Sequence, residues 1–195
     1  MPLILDHQMD LDHIQTTLER AGVIFERGMT DAELRAAEER YDFRFPPDLR
    51  QFLQHALPVS KGWLNWRATS EREILGRLDW PYEGICFDIE HNAFWLDDWG
   101  PRPSELEEAF AVVKRAIHEA PKLIPVCGHR FMPDRPFQAG NPVLSVYQTD
   151  IIYYGADLQD YLENEFSYYF NREGYRIREP VRTIELWSRL VENNE

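Results

Sequence analysis

The chain has 195 residues, 44% of them hydrophobic and 13% aromatic, with 34 acidic against 21 basic side chains and a formal net charge of -13. That much apolar material excludes disorder over the whole length, and so acidic a surface disfavours nucleic acid and anionic membranes as partners. It favours a cationic partner, provided the charge is gathered on one face. The two cysteines, Cys86 and Cys127, each sit in an apolar run and read as reduced core thiols of a cytoplasmic protein. The opening, MPLILDHQMDLDH, has no basic segment, and its apolar run is too short for a signal peptide. No later stretch approaches the length of a membrane span.

In chain order, Leu11, Ile14 and Leu18 fall at helical spacing, with Gly22 as a C-cap. Thr30-Asp31-Ala32-Glu33 is a capping box, flanked by Met29 and Leu34 as its hydrophobic staple. Leu34, Ala37 and Tyr41 then share a helix face. Phe43 to Pro47 breaks that helix, and the prolines open the next one, Asp48 to Leu57, which Pro58 ends. Gly62 to Arg67 reads as a strand with Trp63 and Leu64 on opposite faces. Ser70-Glu71-Arg72-Glu73 starts a short helix predicted to stop before Pro81. Pro81 to Pro103 mixes aromatic and acidic residues without a clear period. Ser104 to Glu107 is a third capping box, before an apolar stripe of Leu106, Ala109, Phe110, Val113 and Ile117 that ends at Pro121.

The best-ordered pattern follows. Leu123–Val126, Arg130–Met132, Val143–Tyr147 and Ile151–Tyr154 are short runs rich in β-branched and aromatic residues, bounded by Gly, Pro, Asn or Asp. Cys127 to His129 and Gln148 to Asp150 are short enough to close hairpins. An antiparallel sheet is expected, with helices packed on one face. Gly155 or Asp157 opens a helix bearing Leu158, Tyr161, Leu162 and Phe166, and a last helix spans Thr183 to Val191 with Ile184, Trp187 and Leu190 inward. Helices first and hairpins later make the fold class α+β, a single domain built on a mostly antiparallel sheet.

Two distant stretches resemble the SUKH superfamily, which includes the Smi/Knr-type regulators of yeast cell-wall assembly. The first is Gly28 to Leu53, GMTDAELRAAEERYDFRFPPDLRQFL: an acidic helix, an aromatic break, Pro-Pro and a helix ending in Phe-Leu. The second joins LIPVCGHR (Leu123 to Arg130), GNPV (Gly140 to Val143) and DIIYYG (Asp150 to Gly155). The chain departs from the pattern at His55-Ala56-Leu57-Pro58, where many members have an Asn-Gly-Gly-like turn. The resemblance implies a SUKH-like domain over 28–170, with a helical extension at 1–27 and a helical tail at 171–195 packed on it. It also implies a non-enzymatic binding module without catalytic residues or cofactors. Similar bacterial domains are immunity proteins that neutralise polymorphic toxins, often nucleases, by stoichiometric binding. The acidic charge fits a toxin with a basic surface.

Site candidates fall into two groups. Trp66 and Trp99, each beside charge, Gly or Pro, are the expected exposed anchors of a protein-binding patch, with Asp97, Asp98, Glu105 and Glu108 as its acidic rim. The alternative is a small-molecule-binding or hydrolytic polar edge, where His129 is acid or base and Asp134 or Asp150 orients it, joined by Arg130, Gln148 and Thr149. Against that, Thr149 and Asp150 suit hydrogen bonds to their own turn. No metal site is expected: the 6 His form no H-x-x-x-H pair, and His91 among Asp88, Glu90, Asp97 and Asp98 lacks the oxygen spacing of a calcium loop.

Overall fold

A computed structural model of the chain describes residues 9–194, so the opening stretch weighed above as a signal peptide lies largely outside the described residues. Among these, seven α-helices and two antiparallel sheets, of two and four strands, form an α+β fold. Helix α1 (Leu11–Arg20) is capped by Asp10, whose Oδ1 accepts the His13 N–H at 3.0 Å, and it buries Ile14 and Leu18. Gly22 follows at φ +89°, a left-handed turn that returns the Val23 N–H to the Leu18 carbonyl. Helix α2 (Asp31–Tyr41) carries the reciprocal capping box: the Glu33 N–H bonds Thr30 Oγ1 at 3.2 Å, and the Thr30 N–H bonds Glu33 Oε2 at 2.7 Å.

Helix α3 (Pro47–His55) stops two residues short of the expected Leu57. Ala56, Leu57 and Pro58 instead form strand β2 (Ala56–Pro58), paired with β1 (Phe25–Arg27). All three are buried, and as a strand they answer the hydrogen-bonding groups of β1, which a further half-turn of helix would leave open. The strand expected over Gly62–Arg67 does not form. Asn65 Oδ1 accepts the N–H groups of Arg67 and Ala68 and turns the chain, so Trp63 and Leu64 both enter the same core and only Trp63 bridges to Cys127.

Helix α4 (Glu71–His91) departs furthest from expectation, running through Pro81 to His91. Proline removes one N–H from the helix ladder, but its own side chain is buried and the helix lays Ile74, Ile85 and Ile89 into the interior on both sides of it. Burial of three isoleucines, each about 1.5–3 kcal/mol, outweighs one lost hydrogen bond of about 1 kcal/mol. Helix α5 (Leu106–Glu119) returns antiparallel to α4; its N-cap is Glu105, without a side-chain cap, so the expected Ser104 capping box is absent.

The four expected strands form a meander, β3 (Leu123–Cys127), β4 (Arg130–Pro133), β5 (Val143–Tyr147) and β6 (Asp150–Gly155), in that spatial order. Helices cover both faces rather than one. Ile124, Val126, Met132 and Val143 join α1, α2, α3 and α6 (Leu158–Glu165) in a first core. Their neighbours Leu123, Phe131, Leu144 and Val146 point the other way, into a second core with α4, α5 and α7 (Trp187–Glu192). Period-two alternation with both sides apolar is the pattern of a sheet buried on both faces. The last helix begins at Trp187 rather than Thr183 because Leu186 has φ +63°, a conformation no helix continues through. Trp187 is buried in the second core and donates its Nε1–H to the Pro121 carbonyl at 2.7 Å.

The C-terminal segment also closes the β6 edge: Asn194 Nδ2 bonds the Thr149 and Ile151 carbonyls, and the Tyr175 hydroxyl bonds that of Tyr153. Such caps stop an edge strand from pairing with another chain.

Candidate functional site

The turn between β3 and β4 and the turn between β5 and β6 lie at one end of the meander, where the Val146 N–H bonds the His129 carbonyl. This end therefore holds His129, Arg130, Gln148, Thr149 and Asp150. Asp134 lies beyond the opposite end of β4; it accepts the Lys122 N–H at 2.8 Å, and burial raises its pKa. Asp134 is thus no orienter for His129.

The residues at the turn end do not converge either. His129 is exposed, its ring edge-on to Tyr147, and burial of part of the ring with the nearby Arg130 charge lowers its pKa. Asp150 is exposed. Arg130 lies with its guanidinium carbon 3.7 Å from the Tyr154 ring centroid, donates to Ser145 Oγ at 3.1 Å and sits 3.6 Å from Glu165. Thr149 does not bond its own turn through its side chain. Its Oγ1–H and its N–H both donate to Asp88 Oδ2, at 2.5 and 2.8 Å. Thr149 fastens the sheet to α4, and Arg130 ties it to α6; among the described residues no hydrogen bond links His129 to a carboxylate.

The same end positions α4. Arg77 donates to the Gly128 carbonyl at 2.5 Å, Trp80 Nε1–H to the Val146 carbonyl at 3.0 Å, Gly84 presses against the Gln148 backbone, and Asp88 holds Thr149. Positions 77, 80, 84 and 88 form one stripe of the helix. Burial alone would push the Asp88 carboxyl up, yet the hydrogen bonds from Thr149 and Asn92 outweigh it and leave the pKa below the ordinary value. The stripe alongside, Asp79, Glu83, Phe87 and Glu90, faces solvent.

Beyond α4, the connection packs as an aromatic knot. Trp95 and Trp99 meet edge-on at 5.2 Å, Phe94 meets Trp99 at 5.9 Å, and Trp95 Nε1–H bonds the Gly100 carbonyl. Asp98 pairs with Arg189. Asp97, Glu105, Glu107 and Glu108 are exposed and, among the described residues, have no Lys or Arg within salt-bridge distance. Asp88 and Asp98 being committed elsewhere, the acidic group around His91 is not assembled as a cation site.

From Asp79 to Val113 the chain carries nine acidic residues (Asp79, Glu83, Asp88, Glu90, Asp97, Asp98, Glu105, Glu107, Glu108) and one basic residue, Arg102, a net of -8 out of the chain's -13. Eight of these nine acids are exposed along the flank that runs from α4 through the connection to the start of α5, and Asp88 is buried against Thr149. Of the expected patch, Asp97, Asp98, Trp99, Glu105 and Glu108 lie on this flank, with Trp99 half-buried. Trp66 does not: it is only 8% exposed and packs against Phe43 and Phe45 at 5.5 and 5.0 Å, so it is core and no anchor. The exposed aromatic side chains here are Trp80 (40%) and Phe87 (45%). Continuing the helical period through Pro81 would have found both, since it sets Phe87 between Glu83 and Glu90 on one face. No family model, curated protein or solved structure matches the chain.

Proposed function

We propose that the chain is a non-enzymatic binding module that neutralises a cationic protein by stoichiometric docking on the α4–α5 flank. One observation carries this reading: the segment from Asp79 to Val113 holds -8 of the net charge, around the exposed Trp80 and Phe87. Fields of one sign gathered on a surface steer an oppositely charged partner and select against others, and aromatic side chains inside an acidic rim supply the short-range affinity. The SUKH resemblance makes a polymorphic toxin, nucleases among them, the partner of choice, and the module an immunity protein. The proposal puts it in the cytoplasm, where Cys86 and Cys127 stay reduced; among the described residues no helix is long and apolar enough to cross a membrane.

The test is co-expression with a toxin encoded beside it, scoring growth and co-purification. Wild type should rescue and co-purify one-to-one. A variant with Glu83→Lys, Glu90→Lys, Glu107→Lys and Glu108→Lys should lose about tenfold or more in association rate at low salt, with little change in the melting curve. If that variant protects and associates like wild type, the flank is not the docking surface. If the wild-type chain neither rescues nor co-purifies, the immunity role falls.

A further inference from the structure

A second feature of the hairpin lies at its other end. There a cleft of about 540 Å³ opens between the end of α2, the first half of α4, the second half of α5 and the residues just past β4. That volume is in the range of small-molecule sites, about 300–1,000 Å³. Leu75, Leu78 and Ile117 supply its apolar wall, and Leu75 is 45% exposed for want of anything to cover it.

The polar groups around this wall differ in how far they are committed. Lys122 Nζ donates to the Tyr41 and Asp42 carbonyls at 3.0 and 2.5 Å, and Arg135 Nη2 donates to those of Glu119 and Ala120 at 2.9 and 2.5 Å. Each thus caps a helix C-terminus, α2 and α5 respectively, where cations belong. Asp134 bonds the Lys122 N–H and lies 3.7 Å from Arg135. Lys114 and His118 are free of such ties: four residues apart on α5, they sit one above the other on the cleft face, and neither has a carboxylate within salt-bridge distance among the described residues. On a chain of net charge -13, a cation and an imidazole left without an ion-pair partner beside an apolar wall suit an anion with an apolar body. Asp79, on the α4 wall, is also unpaired and would repel a second negative charge.

We infer that this cleft binds a small amphipathic monoanion, its ring or branched body on Leu75, Leu78 and Ile117 and its acid group between Lys114 and His118. The inference is independent of the docking flank. Naphthoate serves as the probe, titrated by calorimetry into the full chain, with uncharged naphthylmethanol as its partner. Naphthoate should bind saturably and one-to-one, about tenfold more tightly than the alcohol, the difference a charge-assisted hydrogen bond makes. The variant Lys114→Met/His118→Gln should lose that tenfold and bind the alcohol unchanged, Leu75→Glu should bind neither, and Lys61→Met should match wild type. All four positions are exposed, so the variants should fold, as melting curves check. Absence of saturable naphthoate binding below about 1 mM overturns the inference. Equal affinity for acid and alcohol does so too, as does undiminished naphthoate binding in either cleft variant.

Discussion

The docking of α4 on the sheet makes a prediction in which one substitution has opposite signs at two positions of one helix. Gly76 and Gly84 both lie inside α4. Replacing an interior helical glycine with alanine ordinarily stabilises by about 0.5–1 kcal/mol, because alanine loses less backbone freedom on folding. At Gly76 a Cβ would meet nothing within 4 Å, so Gly76→Ala should raise stability by about that amount. At Gly84 the same Cβ would sit 2.8 Å from the Gln148 Cα and 3.2 Å from its nitrogen. Both obstacles are backbone, and Gln148 is held at φ +57° in a tight turn, so neither can rotate away. The helix would have to lift off the turn by several tenths of an ångström, loosening the Asp88–Thr149 and Trp80–Val146 hydrogen bonds on either side. Overpacking of this kind costs about 1–3 kcal/mol, and strain on those bonds adds to it, so Gly84→Ala should be destabilising by about 1–3 kcal/mol net of the propensity gain. Urea titration read by far-ultraviolet circular dichroism measures both, with unchanged slopes showing that the midpoint shifts are stability changes. Shifts of the same sign for the two variants would refute the close approach of α4 to the β5–β6 turn.

Three further outcomes follow from side chains that tie the elements together. Asp88→Asn removes the charge that accepts two bonds from Thr149 and should cost about 2 kcal/mol in urea; Thr149→Val in the same background should then cost little more, because the two act as one unit. Trp187→Ala should cost about 3–5 kcal/mol, since it empties a fully buried site in the second core and leaves the Pro121 carbonyl without its donor; a loss under about 1 kcal/mol would make the C-terminal segment an appendage. Glu33 accepts from Arg67 Nε at 2.8 Å and from the Thr30 N–H at 2.7 Å, bonds that hold its folded-state pKa well below the ordinary 4.5. A depressed carboxylate contributes stability that is in force above pH 4.5 and is lost as pH falls through the lowered value. Glu33→Gln should therefore be less stable at neutral pH and show a shallower decline between pH 4.5 and the acid transition, as melting temperature against pH records.

Local signals in the sequence located most of the scaffold. The Thr30–Glu33 capping box and the Asp157 cap are short-range hydrogen-bond patterns, and the four strands of the meander are runs of apolar residues between turn residues; these depend on few neighbours and form where they are expected. What the pattern hid were outcomes set by distant contacts. Pro81 ends a helix on local grounds, but three isoleucines of α4 are buried against elements far along the chain. Trp66 sits beside Arg67 in sequence and looks exposed, yet Phe43, Phe45 and Tyr41 close over it from the α2–α3 connection. The error at Pro81 carried the larger consequence. A helix ended there leaves Glu83, Phe87 and Glu90 in an irregular stretch, so the face they share with Asp79 is not legible from local pattern.

The chain's charges divide into two kinds by what surrounds them. In the first third, acids and bases are interleaved and joined: Arg67 reaches Glu26 and Glu33, Arg50 reaches Asp31 and Glu38, and Arg40 reaches Glu71 across to α4. Those groups cancel one another's fields, and their use is internal. On the α4–α5 flank Asp98 pairs with Arg189, but Glu83, Glu90, Asp97, Glu105, Glu107 and Glu108 have, among the described residues, no Lys or Arg within salt-bridge distance, and their mutual repulsion opposes folding in a way that added salt relieves. A fold tolerates that repulsion only if other contacts hold the elements in place, and here they do so from beneath. Arg77, Trp80, Gly84 and Asp88 fix α4 to the sheet's turns along one stripe, while the acids project from the next. The acids on α4 therefore ride on a rigid support, not on a loop that must order itself when a partner arrives. A preorganised surface of one sign loses little conformational entropy on association and keeps its steering field in the free state. That pairing of exposed, unneutralised acids with a firmly anchored helix is the ground on which the proposed docking surface rests.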